Sequence, residues 1–183
     1  MTEQAPFRSA EDALTFAFHY SFEQSPKNIM SGLLNQGAIG SGHGLHGTDG
    51  AAQAAMIHNI LNELPDPQRW ALTVRFADTP GECPCCGGER QSQAWTQAAD
   101  NLGLLAAQDK GELDGIGKAA RRELIGKILN RRKTDITAIA QSASCTRQTI
   151  SNKVKRLAQR LSHYERAGLD ACRAIFKERG VIG

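Results

Sequence analysis

Residues 136–157 read ITAIAQSASCTRQTISNKVKRL, and the spacing of their apolar residues decides the predicted fold of this part of the chain. Two apolar stripes at helical spacing are separated by a short polar interval, which predicts two helices joined by a turn. Ala140 is small enough for the second helix to cross the first closely, as in a helix-turn-helix. The apolar residues of the two stripes are Ile136, Ile139, Ala140, Ile150, Val154 and Leu157.

The interval between the stripes has the residue types of a turn. Ala143 closes the first helix, and Ser144 takes the position where Gly is commonest, because the residue there often has a positive φ. Cys145 fills the apolar position of the turn as a small buried hydrophobe. Thr146 is a good N-cap for the second helix. The sequence therefore predicts a tight connection at 143–146.

The second helix leaves a polar and basic face to solvent, and these residue types suit double-stranded DNA. Arg and Gln near a helix start bond the edges of guanine and adenine, while Ser, Asn and Lys suit bases or phosphates. The helix N-terminus can hold a phosphate. The alternative is a packing unit of three helices with a solvated basic face. The predicted DNA-binding residues here are Thr146, Arg147, Gln148, Ser151, Asn152, Lys155 and Arg156.

Charge is distributed unevenly along the 183 residues, whose formal net charge is +3. The stretch 118–166 holds 13 Lys/Arg and 3 Asp/Glu, whereas the rest of the chain holds 9 basic and 16 acidic residues. Positive charge concentrated around such a motif is typical of a nucleic-acid-binding region. We therefore add Arg131, Arg132 and Lys133, just before the motif, to the predicted DNA-binding residues.

Helical signals dominate the rest of the chain, and no run alternates convincingly with period two, so we predict an all-α protein with a Cys/Gly-rich loop insertion. The predicted regions are an N-terminal helical segment (1–30), a Gly-rich flexible loop (31–50), a helical region (51–115) with a Cys-rich loop at 78–90, and a basic helical DNA-binding region (116–183). Before the motif, the predicted helices are one that ends near residue 25, followed by 51–64, 68–77, 92–108 and 116–133. Thr48 or Asp49 is the predicted cap of helix 51–64, and Asp66 is the predicted cap of helix 68–77. The second helix of the motif is predicted to continue towards residue 165, and a last helix follows at 169–179.

Three cysteines crowd into four positions of the segment GECPCCGGER, namely Cys83, Cys85 and Cys86. Two thiolates three residues apart can bend around one metal ion, and the glycines that follow let backbone amides approach the sulfurs. A closed zinc site needs four ligands, and a second CxxC is absent. Zinc held by Cys83 and Cys86 and a loop of free thiols therefore both stay open. Further ligand candidates are Cys145, Cys172, His19, His43, His46 and His58.

The composition also bears on compartment and chemistry. No stretch approaches the roughly 20 apolar residues that a membrane span needs, and residues 1–10 lack the basic and apolar parts of a secretory signal. We therefore predict a cytoplasmic protein without a membrane partner. No Cys/His pair or paired carboxylates are placed together by the sequence, so we predict that the protein is not an enzyme.

The order of these features resembles the lambda-type Q antitermination proteins of bacteriophages, which carry a Cys-rich zinc insertion in the middle and a helix-turn-helix-like unit near the end. The segments that carry the resemblance lie within about 31–170. They are GTDGAAQAAM at 47–56, TPGECPCCGG at 79–88 and TRQTISNKVKRLAQRLSHYE at 146–165. The lambda-type insertion has a second CxxC, whereas this chain continues with ERQSQAW.

The resemblance implies a role in transcription. Q proteins bind a DNA element at a phage late promoter, engage paused RNA polymerase with its sigma factor, and let the enzyme pass terminators. By position, the resemblance assigns DNA contacts to Arg147, Gln148, Ser151, Asn152 and Lys155, and the first half of the zinc site to Cys83 and Cys86. An alternative is a helix-turn-helix repressor or activator that acts at initiation. A metal-dependent nucleic-acid-processing enzyme is disfavoured, because no carboxylate cluster accompanies the possible metal ligands.

Overall fold

The computed structural model describes residues 5–23, 47–78, 81–82, 89–109 and 111–183. These residues form seven α-helices and one pair of two-residue antiparallel strands, which confirms the all-α prediction in its coarse form. The helices are α1 (Ala10–Glu23), α2 (Gly47–Glu63), α3 (Asp66–Phe76), α4 (Gln93–Gln108), α5 (Lys118–Leu129), α6 (Ile136–Ser142) and α7 (Arg147–Glu178), and the strands are β1 (Gly81–Glu82) and β2 (Glu89–Arg90).

The described chain divides into two compact units. The terminal unit contains the residues up to Leu64 together with Leu169–Gly183, and the central unit contains Pro65–Gly168. Helix α7 contributes to both, because its residues up to Gly168 belong to the central unit and the remainder to the terminal unit. The predicted regional boundary between residues 115 and 116 lies inside the central unit.

The terminal unit is built by packing α1 on α2, and Phe7 near the start of the described chain pairs with residues 181–182. The Phe7 amide donates to the carbonyl of Val181 at 3.2 Å, and Phe7 also forms a parallel backbone bridge with Ile182. The Phe7 and Phe16 rings lie 5.0 Å apart between their centroids. The unit buries a continuous apolar core as a result. Its largest fully buried side chains are Phe7, Leu14, Ile57, Ile60 and Phe176.

Helix α2 begins at Gly47, so the predicted Gly-rich loop 31–50 is too long at its C-terminal end, and residues 31–46 lie outside the described residues. Thr48 and Asp49, predicted as caps, lie within the helix instead. Gly50 is buried against Tyr20 of α1, and a Cβ on Gly50 would lie 2.7 Å from the Tyr20 Cε2 atom. Close packing on α1 therefore extends the helix through residues that a local signal assigns to a loop.

The predicted N-cap of α3 is wrong by one residue. Pro65 occupies the N-cap position without a side-chain hydrogen bond, and Asp66 is the first helical residue. The Asp66 carboxylate instead accepts from the Arg69 guanidinium at 2.5 Å, since residues three apart share one face of a helix. The prediction of a helix at about 92–108 is confirmed by α4. Ser92 caps this helix, and its Oγ accepts from the Trp95 amide at 3.1 Å.

Helices α3, α4 and α5 pack together to form the central unit, with α4 contacting both of the others. Helix α5 ends at Leu129 rather than at residue 133, because Arg131 has a φ of 57° and turns the chain out of the helix. The fully buried side chains of the central unit include Leu72, Leu102, Leu113, Leu124, Ile125, Ile150 and Leu157.

Helix α7 is one uninterrupted helix, whereas the sequence analysis places a separate helix at 169–179. Gly168 lies inside α7 and is buried. A Cβ on Gly168 would lie 3.0 Å from the Leu72 Cδ1 atom of α3. This glycine therefore permits the close approach of α3 and does not break the helix.

Candidate nucleic-acid interface

Helix α6 begins at a cap that the sequence analysis missed. One Asp135 side-chain oxygen accepts from the amides of Thr137 at 2.8 Å and Ala138 at 3.1 Å, which satisfies two of the free amides of the first turn. The local signal was present, because an Asp directly before an apolar helical segment is a typical N-cap. Asp135 therefore fixes where α6 begins.

The connection between α6 and α7 spans residues 143–146. The Ala143 amide donates to the Ile139 carbonyl at 3.0 Å, and the Cys145 amide donates back to the Ala140 carbonyl at 3.0 Å. Ser144 between them has a φ of 51°, which confirms the positive φ predicted at this position. The chain passes from α6 to α7 within four residues because one residue takes the left-handed conformation that glycine adopts most easily.

Thr146 caps α7, as predicted. Its Oγ1 accepts from the Thr149 amide at 3.1 Å, and its carbonyl accepts from the Ile150 amide at 3.2 Å. The apolar residues of both helices then pack inwards, although Ile136 and Val154 are only half-buried. The fully enclosed residues of the two helices are Ile139, Ala140, Ile150 and Leu157.

The N-terminal half of α7 presents the predicted DNA-binding residues to solvent. The Gln148 amide donates to the Asn152 side-chain oxygen at 3.1 Å, so these two residues form one hydrogen-bonding surface. Among the described residues, no carboxylate pairs with Arg147, Lys155 or Arg156. The exposed residues are Thr146, Arg147, Gln148, Ser151, Asn152, Lys155 and Arg156.

Two other cations of α7 point into the central unit and bind the connection between α4 and α5, of which residues 109 and 111–117 are described. Lys153 donates from Nζ to the Asp114 carbonyl at 3.2 Å. Arg160 pairs through Nη1 with Asp109 at 2.9 Å and through Nη2 with Glu112 at 2.8 Å. The Arg160 and Glu112 side chains are only 13% and 10% exposed. This acidic connection therefore neutralises one side of α7 and leaves the opposite side positive.

The predicted phosphate-binding residues at 131–133 separate into two kinds. Arg131 and Lys133 are exposed, whereas Arg132 is half-buried. The Arg132 guanidinium lies 4.6 Å from the Trp95 ring centroid and pairs with Asp78. Burial lowers the pKa of the Arg132 guanidinium below its usual value. Arg132 therefore holds the end of α5 against α4, and we no longer include it among the proposed DNA contacts.

Asn130 also contacts Trp95, and together with Arg132 and Asp78 these residues form a packing node at the end of α5. The Asn130 side-chain oxygen accepts from the Trp95 indole nitrogen at 3.1 Å, and its amide donates to the Val74 carbonyl at 2.9 Å. The Arg132 amide donates back to the Gly126 carbonyl at 3.3 Å, which closes the turn after α5. The node fixes the backbone that leads into α6, so it determines where Arg131 and Lys133 lie. Sequence reasoning missed it, because its members come from three separated segments.

Three further cations of α5 also have partners inside the central unit. Arg122 and Lys118 both bind the Asp100 carboxylate of α4: the Arg122 Nη2 atom donates to Oδ2 at 2.6 Å, and the Lys118 Nζ atom lies 3.0 Å from the same oxygen. The hydrogen bond from Arg122 lowers the pKa of Asp100, and Lys118 adds to this effect. Arg121 donates to the Ile116 carbonyl at 2.6 Å. These three cations therefore each have a partner within the central unit.

Of the 13 cations between residues 118 and 166, six are therefore engaged within the central unit. The other seven make no ion pair with any described residue. They surround the α6–α7 pair along the chain, from the end of α5 to the middle of α7. These unpaired cations are Lys127, Arg131, Lys133, Arg147, Lys155, Arg156 and Arg166.

The predicted metal ligands Cys83 and Cys86 lie outside the described residues, as do Cys85, His43 and His46. In the sequence, the three cysteines fall between two paired strands, in which Gly81 pairs with Arg90 and Glu82 with Glu89. Within the described ranges, no group of three or more His, Cys, Asp or Glu side chains is placed to hold a metal ion. Zinc therefore stays a prediction of the sequence alone.

The remaining candidate ligands have other environments. The His58 ring nitrogen Nε2 lies 3.1 Å from the Ala17 carbonyl, and its ring packs edge-on against Phe18. Cys172 is fully buried in the terminal unit, and burial raises the pKa of its thiol to about 11. Cys145 is half-buried in the α6–α7 connection.

No family model, curated protein or solved structure matches the chain. None of the helices in the described ranges is both long and apolar enough to span a bilayer.

Proposed function

We propose that the protein is a DNA-binding transcription antitermination factor, in which α6, the 143–146 connection and the first half of α7 act as a helix-turn-helix. One observation carries the proposal: the outward side of α7 is exposed, rich in amide, hydroxyl and cationic groups, and unpaired with any described carboxylate. The capped connection supports it, because the left-handed Ser144 and the Thr146 cap hold α7 at a fixed start beside α6.

Two kinds of contact follow from the positions of these residues. Arg147, Gln148 and Asn152 lie in the first two turns of α7, from which side chains can reach base edges in the major groove. Arg131 and Lys133 lie before α6 and suit phosphates on the flanking strand. The two kinds of contact differ in effect, since base contacts supply specificity and phosphate contacts supply affinity for any sequence.

The step in transcription is proposed from the resemblance to lambda-type Q proteins in the order of features along the chain. DNA binding at a late promoter would place the protein beside paused RNA polymerase and its sigma factor, and the engaged polymerase would then pass terminators. A repressor or activator at initiation would use the same DNA-binding surface. The two functions differ in whether the protein acts after polymerase has left the promoter.

In-vitro transcription separates the two functions. A template with a candidate phage late promoter and a downstream terminator is transcribed by bacterial RNA polymerase holoenzyme, with and without the full chain. The proposal predicts more readthrough at the terminator with the same number of initiated transcripts. The double variant Arg147→Ala/Asn152→Ala should abolish this increase, and Lys177→Gln, an exposed cation near the end of α7, should retain it. A change in initiation without readthrough would show a repressor or activator instead.

The zinc prediction has a separate test. Metal content is measured on purified full-length protein by atomic emission. Zinc above about half an equivalent per chain would favour metal bound by Cys83 and Cys86, and less would favour free thiols. The double variant Cys83→Ser/Cys86→Ser should lose the metal if these residues bind it, while Cys145→Ser, in the α6–α7 connection, should keep it.

A further inference from the structure

A stripe of exposed residues continues along α7 well beyond the two turns that a helix-turn-helix uses. Its members are three or four residues apart, so they lie on one face of the helix. All six are exposed, and each carries an amide, a hydroxyl or a positive charge. At about 1.5 Å per residue the stripe is about 27 Å long. The stripe consists of Gln148, Asn152, Lys155, Gln159, Ser162 and Arg166.

The acidic residues near the stripe are held elsewhere. Glu165 is the one acidic residue in the sequence between residues 147 and 166 of α7. Its Oε1 atom lies 3.4 Å from the Nε atom of Arg75 in α3. Asp109 and Glu112 are both bound by Arg160. The next acidic residue on this face is the exposed Asp170, one helical turn after Arg166, and it pairs with Arg173 at 2.7 Å. The stripe therefore presents positive and hydrogen-bonding groups without a carboxylate over its whole length.

The edge of the stripe is marked by a cleft of about 520 Å³. Asp109 and Glu112 line one side of it, and the residues that line it from α7 are Arg156, Gln159, Arg160, His163 and Tyr164. Because Arg160 binds both carboxylates, the negative charge stays on the side of the helix away from Ser162 and Arg166. The packing of the central unit therefore determines which side of α7 faces the carboxylates.

We infer that the whole stripe lies along double-stranded DNA, with Gln159, Ser162 and Arg166 contacting the sugar-phosphate backbone beyond the major groove; this inference rests on the proposed function. The major groove winds around the duplex, so a straight helix of about 27 Å leaves the groove and meets the backbone strand. Amide, hydroxyl and guanidinium groups all donate to phosphate oxygens. DNA is favoured because the stripe combines positive charge with hydrogen-bonding groups and has no apolar residue.

The test measures binding of the full chain to a fluorescent 30-base-pair duplex of mixed sequence, by anisotropy over a range of salt concentrations. Arg166→Gln should weaken binding about tenfold at about 0.05 M salt and reduce the slope of log K against log salt by about one, because one phosphate contact is lost. Arg166→Lys should retain most of the affinity. Lys177→Gln removes the same charge 11 residues further along the helix and should leave the slope unchanged.

Ser162→Glu provides an independent variant, because it places a carboxylate in the middle of the stripe. We expect it to weaken duplex binding by at least as much as Arg166→Gln, since the new charge repels phosphate. Ser162→Ala should change binding less than threefold. Ser162 and Arg166 are both exposed, so substitutions at these positions should not change the helical content measured by circular dichroism.

The outcomes distinguish this inference from the proposed function. If Arg147→Gln weakens duplex binding while Arg166→Gln behaves like Lys177→Gln, the extended contact is wrong and the helix-turn-helix contact stands. If the unmodified chain does not bind the duplex at all, both are wrong. If Arg166→Gln keeps duplex affinity but loses binding to RNA polymerase, the stripe binds an acidic protein surface and the DNA assignment is overturned.

Discussion

The guanidinium of Arg132 lies 4.6 Å from the centroid of the Trp95 ring. The same guanidinium pairs with Asp78, and the Trp95 indole nitrogen donates to Asn130. Arg131, the residue before, has a positive φ and is exposed. Neighbouring arginines that look equivalent in the sequence thus have different environments, and their effects on stability and on DNA binding should differ.

Replacing Arg132 should affect folding, and replacing Arg131 should affect binding. Arg132→Gln removes a cation stacked on Trp95 and leaves Asp78 without its partner, so we expect the free energy of unfolding to fall by about 1–2 kcal/mol. Arg131→Gln should change it by less than about 0.5 kcal/mol. Urea denaturation followed by tryptophan fluorescence measures both. Unchanged stability for Arg132→Gln, together with a loss of duplex affinity, would assign Arg132 to the DNA surface instead.

Breaking the ion pair between Arg160 and Glu112 should strongly lower the free energy of unfolding. Arg160→Met leaves the Glu112 carboxylate, which is 10% exposed, without its cation, and we expect a loss of about 2–4 kcal/mol in the free energy of unfolding. Adding Glu112→Gln should recover about 1 kcal/mol or more, because the buried charge is then removed. Strict additivity of the two variants in a double-mutant cycle would show that the pair is not coupled.

Asp100 should make the stability of the chain depend on pH on the acid side. The hydrogen bond from Arg122 lowers the folded-state pKa of Asp100, so its contribution is complete above the usual carboxyl pKa of about 4. It is lost as pH falls through the lowered folded-state pKa. Asp100→Asn should therefore cost about 1 kcal/mol at neutral pH and little at about pH 2. Glu123→Gln, on an exposed carboxylate of α5 that makes no ion pair with any described residue, is the control, and an equal cost at both pH values for Asp100→Asn would contradict the assignment.

Ser144→Gly should stabilise the protein. Ser144 has a φ of 51°, which is unfavourable for a residue with a Cβ and neutral for glycine. Because glycine also increases the entropy of the unfolded chain, we expect a net gain of about 0.5–1 kcal/mol. Thermal unfolding measures it, with Ala143→Gly as the control that should destabilise, since Ala143 has a negative φ. A loss of stability for Ser144→Gly would mean that the Ser144 side chain makes a stabilising contact.

Cys172 should resist alkylation in the native protein. It is fully buried and the pKa of its thiol is about 11, so only about one thiol in a thousand is ionised near pH 8. Iodoacetamide should modify Cys145 under native conditions and Cys172 only in urea. Peptide mass spectrometry identifies the modified residue. Native modification of Cys172 at the rate of Cys145 would show that this part of the terminal unit opens readily.

Local signals in the sequence predicted the features that depend on a few neighbouring residues. The cap at Thr146 and the positive φ at Ser144 were predicted, because each depends on contacts within about four residues. The start of α2 and the continuity of α7 through Gly168 were not predicted. Both depend on a glycine packed against a side chain from another helix, Tyr20 in one case and Leu72 in the other.

The sequence by itself determined that the chain is helical, that two helices meet at Ser144, and that positive charge is concentrated around them. Only the tertiary structure decided which cations are free. Arg132 pairs with Asp78, 54 residues away, and Arg160 with Asp109, 51 residues away. A linear count of charge cannot distinguish a paired cation from an unpaired one, because the partner is brought close only when separate helices pack together. The side of α7 that remains positive is therefore a property of the folded central unit.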